Sequence, residues 1–236
     1  MLPKNYTLQS TLLGIMSRYK AELHANNYYH IYNRTNNKEL LFRNIEDRKL
    51  FLKKYSEYVL PYVDTFVFCL LGNHFHFLIK VKNIRAIVEV VNNVKLKDQT
   101  VAQRNLLKMT DDCRTVHKAL SSQFTRLFTS YALWFKRKYS RDGNLFYRPF
   151  KRILVESENH FTQLIYYIHA NPQIHGIEGD FKKYKWSSYS SMLSLKSTNL
   201  KRKEVLNWFG GREYFLELHN QFEVDLSSIN HLMIED

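Results

Sequence analysis

Cysteine, acidic residues and long apolar runs are all scarce in this chain of 236 residues. The two cysteines, Cys69 and Cys113, do not form a CxxC pair, so neither a disulfide framework nor a structural zinc site is indicated. No stretch approaches the roughly 20 apolar residues that a transmembrane helix needs. The N-terminus also lacks the apolar stretch and cleavage pattern of a signal peptide. We therefore expect a cytoplasmic protein with no membrane partner.

The shortage of acidic residues leaves the chain strongly basic. Lysine and arginine number 35 against 22 aspartates and glutamates, a formal net charge of +13, and aromatic residues make up 15% of the sequence. Such an excess favours a polyanionic partner, with nucleic acid first and an anionic membrane surface second. A basic surface without a charged partner is the alternative that composition leaves open.

The sequence contains no internal repeat and no low-complexity linker. We predict a loose N-terminal extension over 1–25, one compact domain over 26–180, and a small, mainly helical tail over 181–236. Alternation of apolar residues and turn signals predict the strands, and apolar residues at helical spacing predict the helices. The predicted strands are 28–32, 63–71, 74–81 and 150–156; the predicted helices are 45–59, 84–94, 121–138 and 161–169. Residues 95–115 have no clear period and predict an inserted loop. This order is typical of an α+β domain with helices packed on an antiparallel sheet.

The sharpest local signal is the pair of histidines in Asn73-His74-Phe75-His76. Residues i and i+2 of a strand point to the same face, so His74 and His76 can converge on one ion while Phe75 points to the other face. Neutral imidazoles are good ligands for divalent metals. Two histidines that only pack in a sheet are the structural alternative.

Tyr131 lies on the apolar stripe of the predicted helix over 121–138. If that stripe packs on the sheet face that presents the two histidines, its hydroxyl lies near them. A tyrosine that only fills the core is the alternative.

Residues 134–152 combine basic and aromatic side chains with a single acid, Asp142. Lysine and arginine neutralise phosphates, and aromatic rings stack on unpaired bases. This composition favours contact with nucleic acid over a solvated basic helix end whose aromatics lie in the core. The predicted nucleic-acid-binding residues are Arg34, Lys136, Arg137, Lys138, Arg141, Arg148, Lys151 and Arg152.

Several short motifs, from about residue 28 to about residue 219, carry a resemblance to a known family. In chain order they are Tyr29-His30-Ile31-Tyr32-Asn33-Arg34, Asn73-His74-Phe75-His76, Tyr131-x3-Phe135, Gly143-x-Leu145-Phe146, Arg148-Pro149-Phe150-Lys151, Tyr167-Ile168-His169-x-Asn171-Pro172 and Trp186-Ser187-Ser188-Tyr189. In this order and spacing the sequence resembles the REP-associated tyrosine transposases of the single-tyrosine HUH superfamily.

The resemblance implies a ferredoxin-like core with His74 and His76 on a central strand as metal ligands. It implies a divalent metal, Mg²⁺ or Mn²⁺, and a nucleophilic tyrosine on a helix that packs near that strand. Counted back from the Gly143 motif, the tyrosine falls on Tyr131, with Tyr139 as the fallback. The last two motifs are family markers to which we assign only structural roles, with Pro172 ending a helix and Ser187 or Ser188 capping the next one.

The sequence departs from the family pattern at one point. Family members usually carry an amide about one turn beyond the tyrosine, available as a third metal ligand. At the corresponding positions this chain has Phe135 and Lys136, which cannot serve. Either another residue completes the site or the enzyme is weakened.

The resulting hypothesis is a metal-dependent endonuclease and strand transferase that acts on single-stranded or hairpin DNA through a 5′-phosphotyrosine intermediate. No small-molecule substrate is expected, and the sequence is compatible with a homodimer. Two rivals remain: a catalytically degenerate nucleic-acid-binding protein on the same fold, favoured by Lys136, and an HUH nickase of plasmid or phage replication.

Overall fold

Four antiparallel strands form the centre of the protein in the computed structural model, which describes residues 19–110 and 112–221. The strands lie in the order β2-β3-β1-β4. Their bounds are β1 Tyr28–Arg34, β2 Val63–Leu70, β3 His74–Val81 and β4 Lys151–Val155. Helices connect them as in a ferredoxin-like α+β fold. They are α1 Ile45–Tyr58, α2 Ile84–Asn92, α3 Val101–Lys108, α4 Cys113–Tyr139, α5 Glu158–Ile174, α6 Tyr189–Leu193, α7 Arg202–Trp208 and α8 Arg212–Gln221.

Side chains that alternate along the strands divide the core into two layers. One face of the sheet packs on α1 and α4 through rings such as Phe75, Phe77 and Phe124. The other face packs on α5 and the helices of the tail, around Leu78 and Leu164. Because both faces of β3 are covered, seven of its eight residues are buried.

Helix α1 begins where the sequence predicts it. The Asn44 side chain accepts a hydrogen bond from Asp47 N, and the Asp47 carboxylate accepts one from Asn44 N, so the two residues form a capping box. The carboxylate of Asp47 is fully buried and also accepts hydrogen bonds from Lys138 Nζ at 2.7 Å and from Tyr139 Oη at 2.8 Å. This carboxylate therefore ties the start of α1 to the end of α4.

The predicted inserted loop over 95–115 is wrong at two places, because α3 lies inside it and α4 begins at Cys113. Helix α3 buries Gln103 and Leu106, and Gln103 Nε2 donates to Tyr62 Oη at 2.6 Å. A buried face that is half polar gives no apolar period, which is why the pattern missed this helix.

Two boundary predictions also need correction. Helix α5 continues through Pro172 to Ile174, and the Asn171 carbonyl accepts a hydrogen bond from His175 N beyond the proline. The predicted loose extension is packed over 19–25, since Leu23 is fully buried and its N–H donates to His117 Nδ1. Residues 1–18 of that extension lie outside the described residues.

The described part of the predicted tail, 181–221, is mainly helical, and its side chains share the core of the α5 layer. Tyr189, Met192, Val205 and Phe215 are buried there with residues of α5 and β2. Over the described ranges, no helix combines the length and the apolar character that crossing a membrane requires.

We predict that Asp47→Asn lowers the free energy of unfolding by about 2–4 kcal/mol, because it breaks a buried, multiply bonded ion pair. Burial raises the pKa of the Asp47 carboxyl, but hydrogen bonds from Lys138, Tyr139 and Arg43 N outweigh that effect and hold the pKa below its usual value. The contribution is therefore present above the unfolded-state pKa of about 4 and is lost as the pH falls further. Urea unfolding at neutral pH measures the effect. The control Asp112→Asn, at the more exposed cap of α4, should change little, and equal effects would contradict the prediction.

Candidate active site

The predicted histidine pair lies on one face of the sheet, as strand alternation requires. Across the strands His76 is paired with Tyr32 on one side and with Cys69 on the other, and Tyr32 is paired with Lys151. Side chains at paired positions share a face, so these residues form one row across the sheet. His74 is paired with Arg34 in the next row, and its ring centroid lies 5.2 Å from that of His76. We call this side of the sheet the histidine face.

A third histidine, which sequence reasoning did not assign to the site, orients His76. His30 Nε2 and His76 Nδ1 form a hydrogen bond of 2.9 Å, and both rings are fully buried. His30 Nδ1 and His76 Nε2 have no hydrogen-bond partner in the described part of the protein. If His76 Nδ1 donates to His30, the lone pair of His76 Nε2 is left for a ligand.

His74 is held in a similar way. Its Nδ1 lies 2.7 Å from Asn73 Oδ1, and because an amide oxygen can only accept, Nδ1 carries the proton. The lone pair of His74 is therefore on Nε2. Both predicted ligands can thus be neutral imidazoles with a lone pair on the same nitrogen.

Burial keeps the rings of His30 and His76 uncharged. Desolvation lowers the pKa of His30 to about 3, with a smaller contribution from His160. Desolvation also lowers the pKa of His76 well below its ordinary value, and the charges of His30, His74 and His175 lower it further. Neutral imidazole is the form that binds metals.

Helix α5 covers the histidine face and brings a second set of polar side chains to it. The Tyr167 ring packs edge-on against His76, with centroids 5.6 Å apart, and the His175 ring packs against His74 at 4.9 Å. Tyr167, Asn171 and His175 are four residues apart, so they follow one another along one side of the helix. Asn171 thus lies between the residues that contact the two histidines.

The Asn171 amide is half satisfied. Asn171 Nδ2 donates to the Tyr167 carbonyl at 2.9 Å, while Oδ1 is buried with no hydrogen-bond partner among the described residues. A buried polar atom without a partner costs free energy, so an unpaired amide oxygen points to a missing partner such as a cation.

The premise that placed Tyr131 near the histidines is wrong. Tyr131 is fully buried in the opposite layer, between the rings of Phe51 and Phe146, and its hydroxyl donates to the Leu41 carbonyl at 2.8 Å. Burial raises its pKa, and the charge of Asp47 raises it further. Helix α4 packs on the face that bears Phe75, so the sheet itself separates Tyr131 from His74 and His76.

The fallback Tyr139 and the anomalous Lys136 lie on the same remote side. Tyr139 donates to the buried Asp47 carboxylate. Lys136 is exposed and pairs with Asp142 at 2.6 Å. The absence of an amide at position 136 therefore says nothing about the site, because this position is not part of it.

Three of the predicted nucleic-acid-binding residues are committed to contacts within the protein. Arg152 is buried and donates to the carbonyls of Ala21 and Lys20. Lys138 binds Asp47, and the largely buried Arg141 forms an ion pair with Glu39. For the buried Arg152 the structure contradicts the prediction. Lys138 and Arg141 already have acidic partners, and their contact with nucleic acid stays a prediction.

The other five residues lie at the surface or near the site. Arg34 and Lys151 are half-buried on the histidine face, and burial, Lys20 and Arg34 together lower the pKa of Lys151. Lys136, Arg137 and Arg148 are exposed on the far side. A positive cluster of Lys20, Arg34 and Lys151 thus borders the histidines.

The sequence contained a signal for Tyr167 and Asn171. The motif Tyr167-Ile168-His169-x-Asn171-Pro172 places an amide one helical turn beyond a tyrosine, which is the spacing expected for the family and not found after Tyr131. Alternation showed that His74 and His76 share a face but not which helix covers it.

In the described part of the chain, no cluster of three or more His, Cys, Asp or Glu side chains is arranged to hold a metal ion. The two predicted ligands therefore need a partner of another type, and an amide oxygen such as that of Asn171 fits the ligand preferences of Mg²⁺ and Mn²⁺.

Comparisons with known proteins support the fold. No family model and no curated protein matches the sequence. A solved structure of a REP-associated tyrosine transposase bound to a REP hairpin is similar at a TM-score of 0.50 and 12% sequence identity. The match covers 75% of this chain and 86% of that chain. At this identity the likeness shows a shared fold.

We predict that the stability of the protein falls as the pH is lowered from about 6.5 towards 4. His30 and His76 stay neutral in the folded state but bind protons in the unfolded state below about pH 6.5, so protons favour unfolding over this window. His30→Gln removes one such group and should flatten the dependence. Urea unfolding at several pH values tests this, and an unchanged slope in the variant would contradict the assignment.

Proposed function

We propose that the protein cuts and rejoins single-stranded DNA through a transient covalent bond between Tyr167 and a 5′ phosphate. The observation that carries the proposal is the assembly of Tyr167, Asn171, His74 and His76 at one place, with a bordering cluster of cations. The fold shared with a hairpin-bound tyrosine transposase agrees with this function.

The metal site would be held by His74, His76 and Asn171. Its fit rests on two unpartnered buried atoms, His76 Nε2 and Asn171 Oδ1, and on lone pairs fixed by Asn73 and His30. A bound Mg²⁺ or Mn²⁺ would polarise the scissile phosphate and offset charge on its oxygens.

In the reaction, Tyr167 Oη attacks the phosphorus while the bond from phosphorus to the 3′ oxygen breaks. The tyrosine gives up its proton and the leaving oxygen gains one, so the products are a 5′-phosphotyrosine and a free 3′-hydroxyl. The reverse reaction with another 3′-hydroxyl joins two strands. Arg34 and Lys151 bind the phosphates on either side of the reacting one, because their charges lie on the same face.

Tyr32 supports this arrangement as a neutral side chain. It is stacked on His76, with ring centroids 5.8 Å apart, and burial is the main cause that raises its pKa, followed by Tyr19 and Tyr167. The raised pKa keeps the Tyr32 phenol neutral beside Tyr167.

A degenerate binding protein was the rival favoured by Lys136. That argument no longer holds, because Asn171 supplies an amide one turn beyond Tyr167 and Lys136 lies on the other side of the sheet.

We predict that Tyr167→Phe abolishes the covalent protein–DNA adduct and leaves DNA affinity within a few-fold. The assay incubates the protein with Mn²⁺ and a library of hairpin-forming single strands, and adducts are detected by denaturing electrophoresis. Tyr131→Phe is the matched control: it should keep the adduct and lose only about 1 kcal/mol of stability, the cost of one buried hydrogen bond. An adduct in Tyr167→Phe and none in Tyr131→Phe would reverse our assignment.

We also predict that Asn171→Ala and His30→Ala each weaken Mn²⁺ binding by about 10–100-fold, the first as a ligand and the second by freeing the His76 ring. Titration calorimetry or the electron spin resonance of free Mn²⁺ measures this without DNA. Gln99→Ala, which removes another buried amide far from the site, is the control. Equal Mn²⁺ affinity in all three variants would refute the metal site.

A further inference from the structure

A cleft on the far side of the sheet has no role in the reaction described so far. It has a volume of about 800 Å³ and lies between one side of α4 and the loop over 143–150. This size is typical of small-ligand pockets, which are commonly 300–1,000 Å³. Helix α4 contributes small and polar residues to it, including Thr125, Thr129 and Ala132.

The lining combines the chemical groups that bind unpaired nucleotides. Phe128 and the exposed Tyr147 supply aromatic rings, with the buried rings of Phe146 and Phe150 behind them. The exposed Asn144 supplies an amide, and Arg148 supplies a cation. Arg148 is exposed and has no acidic partner among residues 19–110 and 112–221. Rings stack on bases, amides bind base edges, and an unpaired arginine binds phosphate.

The end of β1 connects this cleft to the histidine face. Asn33 lines the cleft, while its neighbour Arg34 points to the other face beside His74. The Arg34 guanidinium lies 4.9 Å from the centroid of the Tyr147 ring, and Tyr147 N donates to the Arg34 carbonyl at 3.0 Å. The exposed residues Tyr147 and Arg148 therefore link the cleft to Arg34 on the histidine face.

We propose that this cleft binds one or more unpaired nucleotides of the DNA strand that Tyr167 cuts. The DNA leaves the cleft, passes the end of β1 at Tyr147 and Arg148, and reaches the cations Arg34 and Lys151, which bind its phosphates. The inference rests on the proposed function and adds a second, non-catalytic site that holds the strand in register. It also gives a role to residues 143–150 of the basic and aromatic segment 134–152, which line the cleft on the side of the sheet opposite the histidines.

The test compares two charge reversals. Arg148 lines the cleft and Arg137 does not, although both are exposed. Replacing either one with glutamate changes the net charge by the same amount. With a fluorescein-labelled oligothymidylate of about twenty nucleotides, we expect Arg148→Glu to weaken binding at least tenfold more than Arg137→Glu. Thr129→Met, which fills the cleft without a charge, should weaken binding about tenfold, the loss expected for one stacked base.

A direct measurement accompanies the affinities. An oligonucleotide that carries 5-iodouracil should crosslink to Phe128 or Tyr147 on irradiation, as mapped by mass spectrometry. Equal affinities for the two charge reversals, together with crosslinks elsewhere, would overturn the proposal that the cleft binds DNA. The Tyr167 adduct would still form in that case. A wild-type protein that binds the oligonucleotide at the cleft but forms no adduct would support the cleft and refute the cleavage function.

Discussion

Alternation of side chains along β3 determines which helices pack against the histidines and which pack against the phenylalanines. His74 and His76 point into one layer, and Phe75 and Phe77 point into the other, so a shift of one residue in strand pairing would exchange the two sets between the layers. The phenylalanines fix α1 and α4 on their side by packing. The histidines therefore face α5, and the chemistry of the site depends on what α5 carries. The strand β3 thus contributes one set of side chains to each of the two core layers.

The buried imidazoles on the histidine face are held in one protonation state and one orientation. His30 and His76 would repel each other if both were charged, and burial makes their protonation still less favourable. The fold therefore keeps these two rings neutral. Hydrogen bonds from His30 and Asn73 orient the rings of His76 and His74 respectively. Unsatisfied atoms at His76 and Asn171 are the cost of this arrangement. Residues that bear such a cost without a packing benefit are typical of functional sites.

The sequence predicted the strands, the start of α1 and the shared face of the two histidines, because each follows from local spacing. It did not predict the partner helix, because nothing local states whether Tyr131 or Tyr167 lies opposite β3. A related limit concerns basic residues, because a basic run has the same sequence whether its charges bind phosphates or internal carboxylates and carbonyls. Examples are Lys138, Arg141 and Arg152. Helix α3 was missed since its buried face includes Gln103. These failures are all of tertiary origin, where packing of distant segments decides the outcome.

The motif Trp186-Ser187-Ser188-Tyr189 gains a meaning from the hydrogen bonds around His169. His169 lies between Tyr167 and Asn171 in sequence; its Nε2 accepts from Ser188 Oγ and its Nδ1 donates to His219 Nε2, while His219 Nδ1 donates to the Phe215 carbonyl. Ser188 Oγ in turn accepts from Phe68 N. In this series of hydrogen bonds every donor has one acceptor, so the donor-to-acceptor direction is fixed from β2 to α8. Helix α5 is thus held by residues that follow it in the sequence, and a nascent chain can complete these hydrogen bonds only when synthesis has passed His219.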